Sequence, residues 1–333
     1  MSTLLGGASR QTYASTFPPD SFYCLLDELP VHLIPQGFVT NFFQEDQTIP
    51  LFLNSDCEFL SAKHWPAELT ARPELVTKFA MQGTMAWVRH SVSQYPLPFW
   101  LSSQMDSQIR SLRPHQNARQ ILSTGDCAAL AAAGVLRRAD DAILWQICPD
   151  RLNMAAKEYC EKGYVAFPGL LHPFHVAALR RYYRGLIRTG RLTLGDFQSP
   201  RRYVAYNEPV ARFFHHYLTQ IVGVVAREAV KPSYAYVASY LRGAELKRHT
   251  DREQCEFSVS LCLDFSPEPA GRTVWPLCLD TPDGLVKVHQ ALGDALFYRG
   301  TRIPHYREAL PYGLTSTSIF FHYVPASFTG PLN

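Results

Sequence analysis

The chain has 333 residues, 47% hydrophobic and 18% charged, a globular balance that excludes a disulfide-stapled miniprotein and wholesale disorder. The formal net charge of +3 is too small a basic excess for a dedicated nucleic-acid binder. Apolar runs are short and broken by charge or proline, so no membrane span is predicted. The opening MSTLLGGASRQTYASTFPPD has neither the basic region nor the apolar run of a secretory signal. None of the 8 cysteines forms a C-x-x-C pair, and a cytoplasmic chain with reduced thiols is expected.

Residues 1–20 are polar with Gly, Ser and Pro and read as a loose arm. Segments starting at Leu51 and Met85 fit strands or buried turns. Residues 123–138 read as one helix, capped by Ser123 or Thr124 and closed near Gly134. The turn at Cys148-Pro149-Asp150 is a plausible boundary between a mixed N-terminal domain (1–150, role unassigned) and a second domain (151–333). Met154–Cys160 has a short helical pattern, and Gly163 onward reads as a strand ending at Pro168-Gly169. Val176, Leu179, Tyr183 and Leu186 recur on one helical face between His172 and Ile187, and a second helix is predicted from about Pro209 to Ala229. Beyond Pro232 about six strands follow: from Tyr234, Glu256, Thr273, Leu285, Ala295 and Thr315, separated by turns such as Pro282-Asp-Gly284. Two long helices before a run of short strands predict an α+β fold with helices packed on a β-sandwich or barrel.

The chemistry is carried by His249-Thr250-Asp251. Two residues apart on a strand, an imidazole and a carboxylate share one face. His305 follows after several strands, where a barrel would bring it back to the same point. Two imidazoles and one carboxylate on one face of a metal make the facial triad of non-haem Fe(II) oxygenases, with coordination positions left open. An H-x-[DE] triplet arises about once by chance in a chain of this composition, so its context matters.

That context resembles a family. Gly163-Tyr-Val-Ala-Phe-Pro-Gly-Leu-Leu, Tyr240-x-x-Gly243-x5-His249-x-Asp251, and Gly293-Asp294-Ala-Leu-Phe through His305 together resemble the 2-oxoglutarate- and Fe(II)-dependent oxygenases. The prolyl-hydroxylase-like and phytanoyl-CoA-dioxygenase-like branches are nearest, and the resemblance spans roughly residues 154–326. It implies a double-stranded β-helix, or jelly roll, flanked by helices and preceded here by the mixed N-terminal domain. It implies His249, Asp251 and His305 as iron ligands and Tyr240 against bound 2-oxoglutarate. O2 and 2-oxoglutarate would be consumed, with succinate and CO2 released as a substrate C–H bond is hydroxylated. An aspartate ligand leaves no position for a halide, which favours hydroxylation over halogenation.

The chain departs from the family where a cation normally follows the distal histidine by about ten residues. Leu314-Thr-Ser-Thr-Ser-Ile offers none, and a buried carboxylate without a partner is costly. Arg307 is the replacement expected, because it shares the face of His305 and a guanidinium can grip a carboxylate bidentately. Thr315 and Thr317 would assist from the last strand, and Arg299 and Arg302 are the other cations nearby. Arg202, in a polar loop ahead of the second helix, and Trp275 are candidate substrate contacts.

Plainer readings compete elsewhere. Arg180, Arg184 and Arg188 recur every four residues and read as a solvated helix face. His215-His216 reads as a polar helix face, and Cys255, Cys262 and Cys278 as buried inert thiols. The expected substrate is a small molecule such as an amino acid or natural-product intermediate, with a peptide or protein side chain as the alternative. A non-catalytic, metal-binding β-barrel is the reading from another class. Neither nucleic acid nor membrane is an expected partner.

Overall fold

The computed structural model describes residues 17–36, 38, 47–140 and 147–332, so most of the polar opening segment lies outside the described residues. The first half runs β1 (Leu51–Leu53), β2 (Glu58–Ser61), a single helical turn α1 (Ala67–Thr70), β3 (Thr84–Arg89), β4 (Pro96–Leu101), α2 (Ser103–Ser111), α3 (Thr124–Ala132) and β5 (Leu136–Arg138). Strands β2, β3 and β4 form an antiparallel sheet, and β1 pairs with β5. The Ser123 hydroxyl caps α3 by accepting the Asp126 amide at 3.1 Å. That helix stops earlier than its sequence predicts. Gly134 adopts φ +79° and turns the chain outward, and Leu136–Arg138 then pairs with β1.

The second half begins with α4 (Pro149–Lys162), β6 (Tyr164–Phe167), α5 (Pro173–Arg188), β7 (Thr193–Leu194), β8 (Arg202–Tyr206) and α6 (Pro209–Ala226). Each of these helices carries proline in its first turn, where no amide bond is forfeited. Eight strands follow: β9 (Val230–Tyr240), β10 (Leu246–His249), β11 (Phe257–Ser266), β12 (Leu277–Thr281), β13 (Gly284–Val288), β14 (Ala295–Tyr298), β15 (His305–Arg307) and β16 (Thr315–Pro325). They divide between a seven-stranded sheet ordered β6-β14-β11-β16-β9-β8-β7 and a four-stranded sheet ordered β10-β15-β12-β13. All pairings are antiparallel. From β9 to β16 the chain passes back and forth between the two sheets, which is the winding of a jelly roll.

Helices α5 and α6 cover the outer face of the larger sheet. Ile319, Phe321 and Tyr323 of β16 join Phe174, Leu179, Phe214 and Leu218 in one buried cluster. The cluster continues into the first half of the chain, with Phe22 edge-on to Phe214 at 5.9 Å and Phe79 edge-on to Phe213 at 5.0 Å. The helices are thus sandwiched between the N-terminal elements and the jelly roll. No helix among the described residues is long and apolar enough to cross a membrane.

Several local expectations are corrected. Arg180 is not on a solvated face: it is 1% exposed, pairing with Asp264 at 3.0 Å and Glu268 at 2.6 Å. Arg184, partly exposed, adds bonds of 2.5 and 2.8 Å to the Asp264 carboxylate, and Arg188 is exposed. The register shift between Cys262 and Asp264 precedes the aspartate on β11, where it meets α5. His215 is buried, with Nε2 bonded to the His322 carbonyl at 2.8 Å. Residues 202–206 are not a loop but a strand, β8, paired along β9 on one side and with the short β7 on the other. Strand β9 runs through Pro232, which lies at the register shift between Phe321 and Tyr323 where a ladder amide is dispensable. The strand expected from Thr273 begins only at Leu277, after Pro276.

Candidate metal centre and its pocket

His249 ends β10 and His305 begins β15, and the two are direct cross-strand partners with ring centroids 4.5 Å apart. Asp251 lies just beyond β10, in a loop rather than on the strand as its spacing implied. Its amide is held by the Gly300 carbonyl at 2.8 Å and its Oδ2 accepts from the Ser258 hydroxyl at 3.1 Å. The structure therefore brings all three residues together. His249 Nε2 lies 3.5 Å and His305 Nε2 3.7 Å from Asp251 Oδ1. Two ligands about 2.1 Å from a common ion would be roughly 3.0–3.4 Å apart, so a small contraction around an ion completes the set.

The tautomers suit metal binding. Nδ1 of His249 faces the Lys247 carbonyl at 2.7 Å, and Nδ1 of His305 faces the Ile303 carbonyl at 3.0 Å. Each carbonyl requires a proton on Nδ1, which leaves the Nε2 lone pair directed at the shared point. Burial pushes the Asp251 carboxyl up, but the bond with His249 and the nearby His322 and His305 imidazoles hold it at about 2. The bond with Asp251 raises His249, whereas burial lowers His305.

The three donors line a cavity of about 580 Å³ between the sheets, walled by Tyr236, Tyr240, Tyr298, Phe320 and His322. Behind it, on the same strand as His305, Arg307 is 4% exposed. Its Nη1 donates to the Trp275 carbonyl at 2.9 Å and its guanidinium lies 4.6 Å from the centre of the Trp275 ring. Nε has no partner, and no carboxylate among the described residues pairs with it. Burial lowers its pKa, and the groups that act against this are Tyr240, Cys262, Tyr298 and Cys278 rather than acids. Ser260 and Ser318 also keep buried hydroxyls without partners on the inner faces of β11 and β16. A buried guanidinium without a carboxylate and buried hydroxyls without partners fit an anionic group reaching inward from the metal point.

The other predicted residues fall differently. Tyr240 lines the cavity, accepts from Arg202 Nη1 at 3.1 Å and packs edge-on to Trp275 at 5.0 Å. Thr315 and Thr317 do not face the cavity. Thr317 pairs across from Ser239 and bonds its hydroxyl at 2.8 Å, on the face that carries Ile319 and Phe321 toward the helices; Thr315 is exposed. The inward set of β16 is Ser316, Ser318, Phe320 and His322, one residue out of step with the threonines. Arg202 lines the cavity, but its charge is met by Asp196 at 2.5 Å, so it is not free to grip a substrate. Trp275 is buried beneath Arg307 with its indole N–H on the Glu308 carbonyl, away from the cavity lining. Arg299 and Arg302 pair with Glu256.

Sequence reasoning missed His322, whose Nδ1 lies 2.9 Å from the Ser258 hydroxyl and which burial lowers to about 4. With Cys255 it forms a second potential ligand group on Asp251. The period-2 pattern of β16 was the signal for it. Burial pushes the Cys255 and Cys262 thiols up to about 12, in keeping with inert cysteines. A larger cleft of about 880 Å³ lies among N-terminal elements, lined by residues such as Asn54, Arg89, Ala132 and Arg137. Neither potential metal-ligand group among the described residues lies there.

No family model matches the chain, and no curated protein matches it. Solved structures do. A prolyl-4-hydroxylase from Pseudomonas putida is 17% identical, with 53% of this chain and 100% of that chain covered, at a TM-score of 0.43. The non-haem α-ketoglutarate-dependent epimerase SnoN from nogalamycin biosynthesis is 17% identical over 54% of this chain and 85% of its own, at 0.46. HygX from Streptomyces hygroscopicus, solved with nickel, 2-oxoglutarate and hygromycin B, is 14% identical over 55% and 89%, at 0.42. The chain is similar to these proteins over about half its length.

Proposed function

We propose that the chain is an Fe(II)- and 2-oxoglutarate-dependent oxygenase that hydroxylates an unactivated C–H bond of a small molecule, such as an amino acid or natural-product intermediate. The observation that carries this reading is one line of chemistry inside the jelly roll. Three convergent donors stand at a cavity, and a buried guanidinium with no carboxylate partner, Arg307, lies on the same strand as one of them, His305. Fe(II) held there would supply open coordination positions for 2-oxoglutarate and O2, which react to give succinate and CO2.

The protein's part is positional. Backbone carbonyls hold both imidazoles in the Nδ1–H tautomer, and Ser258 and the Gly300 carbonyl orient Asp251. Arg307 would meet the far carboxylate of 2-oxoglutarate by charge-assisted bonds, with Ser318 and Ser260 as available hydroxyls, and Tyr240 would pack beside it. The aromatic walls limit water around the reacting C–H bond. Every residue lining this cavity lies between Phe197 and His322, which supports residues 151–333 as the catalytic part and 1–150 as accessory.

The test is succinate release from 2-oxoglutarate across a panel of amino acids, small metabolites and peptides, with His249→Ala as the blank. Substrate-stimulated succinate that disappears in the variant is expected. Equal background in both proteins would contradict the reading.

A further inference from the structure

We infer that the mouth of the cavity is built to hold an anionic group on an aromatic or apolar body, with Arg252 as the anion contact; this rests on the proposed metal reading. Arg252 immediately follows Asp251 and lines the cavity. Its guanidinium lies over the Tyr234 ring at 4.7 Å from the centroid, and Nη2 donates to the Tyr206 hydroxyl at 3.4 Å. Tyr206 is itself stacked on Tyr234 at 4.9 Å, so the cation is held on an aromatic shelf rather than left free in solvent.

The electrostatics single this group out. No carboxylate among the described residues pairs with Arg252, whereas the other cavity-lining arginine, Arg202, is met by Asp196. Asp251 is the one acid among the described cavity-lining residues, and a bound metal ion would offset its charge. The mouth is therefore net positive beside the metal point.

The apolar half of the argument is at the lip. Phe197 is 95% exposed and Tyr206 44% exposed, and both line the same cavity. Phe197 stands in a turn that Asp196 fixes by accepting the Gln198 and Ser199 amides at 3.0 and 2.8 Å. An exposed ring at the lip, together with a guanidinium that no carboxylate meets, suits a carboxylate or phosphate ester carried on an aromatic body.

The experiment is calorimetric titration of the anaerobic protein, loaded with Fe(II) and saturating 2-oxoglutarate. The probes are phenylacetate, phenyl phosphate and the neutral phenylacetamide. At least one anion is expected to bind at least roughly tenfold more tightly than the amide, as one charge-assisted contact allows. The tighter of the two anions names the charged group. Arg252→Gln should erase the difference, and Arg252→Lys should keep part of it. Equal binding of anions and amide, an unchanged preference in Arg252→Gln, or anions that displace 2-oxoglutarate from the metal would overturn the inference. The visible band of the Fe(II)–2-oxoglutarate complex separates the two readings. Its absence in the unsubstituted protein strikes the metal reading. Its presence in both proteins, without an anion preference, strikes this inference alone.

Discussion

A guanidinium buried without a carboxylate is costly, and Arg307 is such a group, two residues along β15 from the cavity-lining His305. If it anchors 2-oxoglutarate, Arg307→Leu should raise the apparent 2-oxoglutarate requirement by roughly ten- to a hundredfold, the worth of a charge-assisted bond. Fe(II) affinity should be nearly unchanged, and the melting temperature should hold or rise because an unmatched charge has been removed. A large fall in melting temperature with an unchanged 2-oxoglutarate requirement would make Arg307 structural. Gly300 makes a second residue-scale case. A Cβ there would collide with the Asp251 carboxylate and lie 2.6 Å from both the Cys255 carbonyl and the Ser258 hydroxyl. Gly300→Ala should therefore weaken Fe(II) or Co(II) binding by about ten- to a hundredfold, as loss of ligand support does, in a metal titration. Unchanged affinity would show that Asp251 does not need this backing.

At the scale of elements, α6 depends on Glu208. Its carboxylate caps the helix at the Val210 and Ala211 amides, both at 3.1 Å, and accepts the Tyr182 and Tyr183 hydroxyls at 2.8 and 2.7 Å. Glu208→Ala would remove the cap and strand two buried hydroxyls, at a cost of roughly 2–4 kcal/mol in urea denaturation. A change under about 1 kcal/mol would contradict this. The same scale explains what could be read from sequence. The α5 and α6 segments announced themselves through prolines, caps and an apolar face, and β11, β14 and β16 through β-branched and aromatic runs. β8 was hidden because Arg202 and its neighbours look polar; their pairing is decided by the open edge of β9. The threonines of β16 were recognised as strand residues, but which of its two faces looks inward depends on a register that only the pairing with β9 and β11 sets. Arg180 and Arg184 misled for a similar reason: the acids that pair with them, Asp264 and Glu268, lie far along the chain.

Across the whole molecule, one buried cluster joins N-terminal aromatics, helices and jelly roll, and several buried histidines are held neutral. Burial lowers His90, His175 and His322 to about 4. The unfolded chain, with ordinary histidines near 6.5, binds more protons than the folded one between these values. This stability is full above about pH 6.5 and is lost as pH falls toward 4. The melting temperature of the metal-free protein should drop steadily across that window, and a flat profile would show that these imidazoles are not buried neutral. The metal triplet was legible because three residue types at a telling spacing survive any detail of packing. The proposed 2-oxoglutarate anchor was legible only in part, since Arg307 follows from strand periodicity while Ser260 and Ser318 do not. The central claim is most directly tested by anaerobic absorption spectroscopy of the reduced protein titrated with Fe(II) and 2-oxoglutarate. A weak visible charge-transfer band that requires both additions and vanishes in His249→Ala is predicted; folded protein that gives no band would contradict the account.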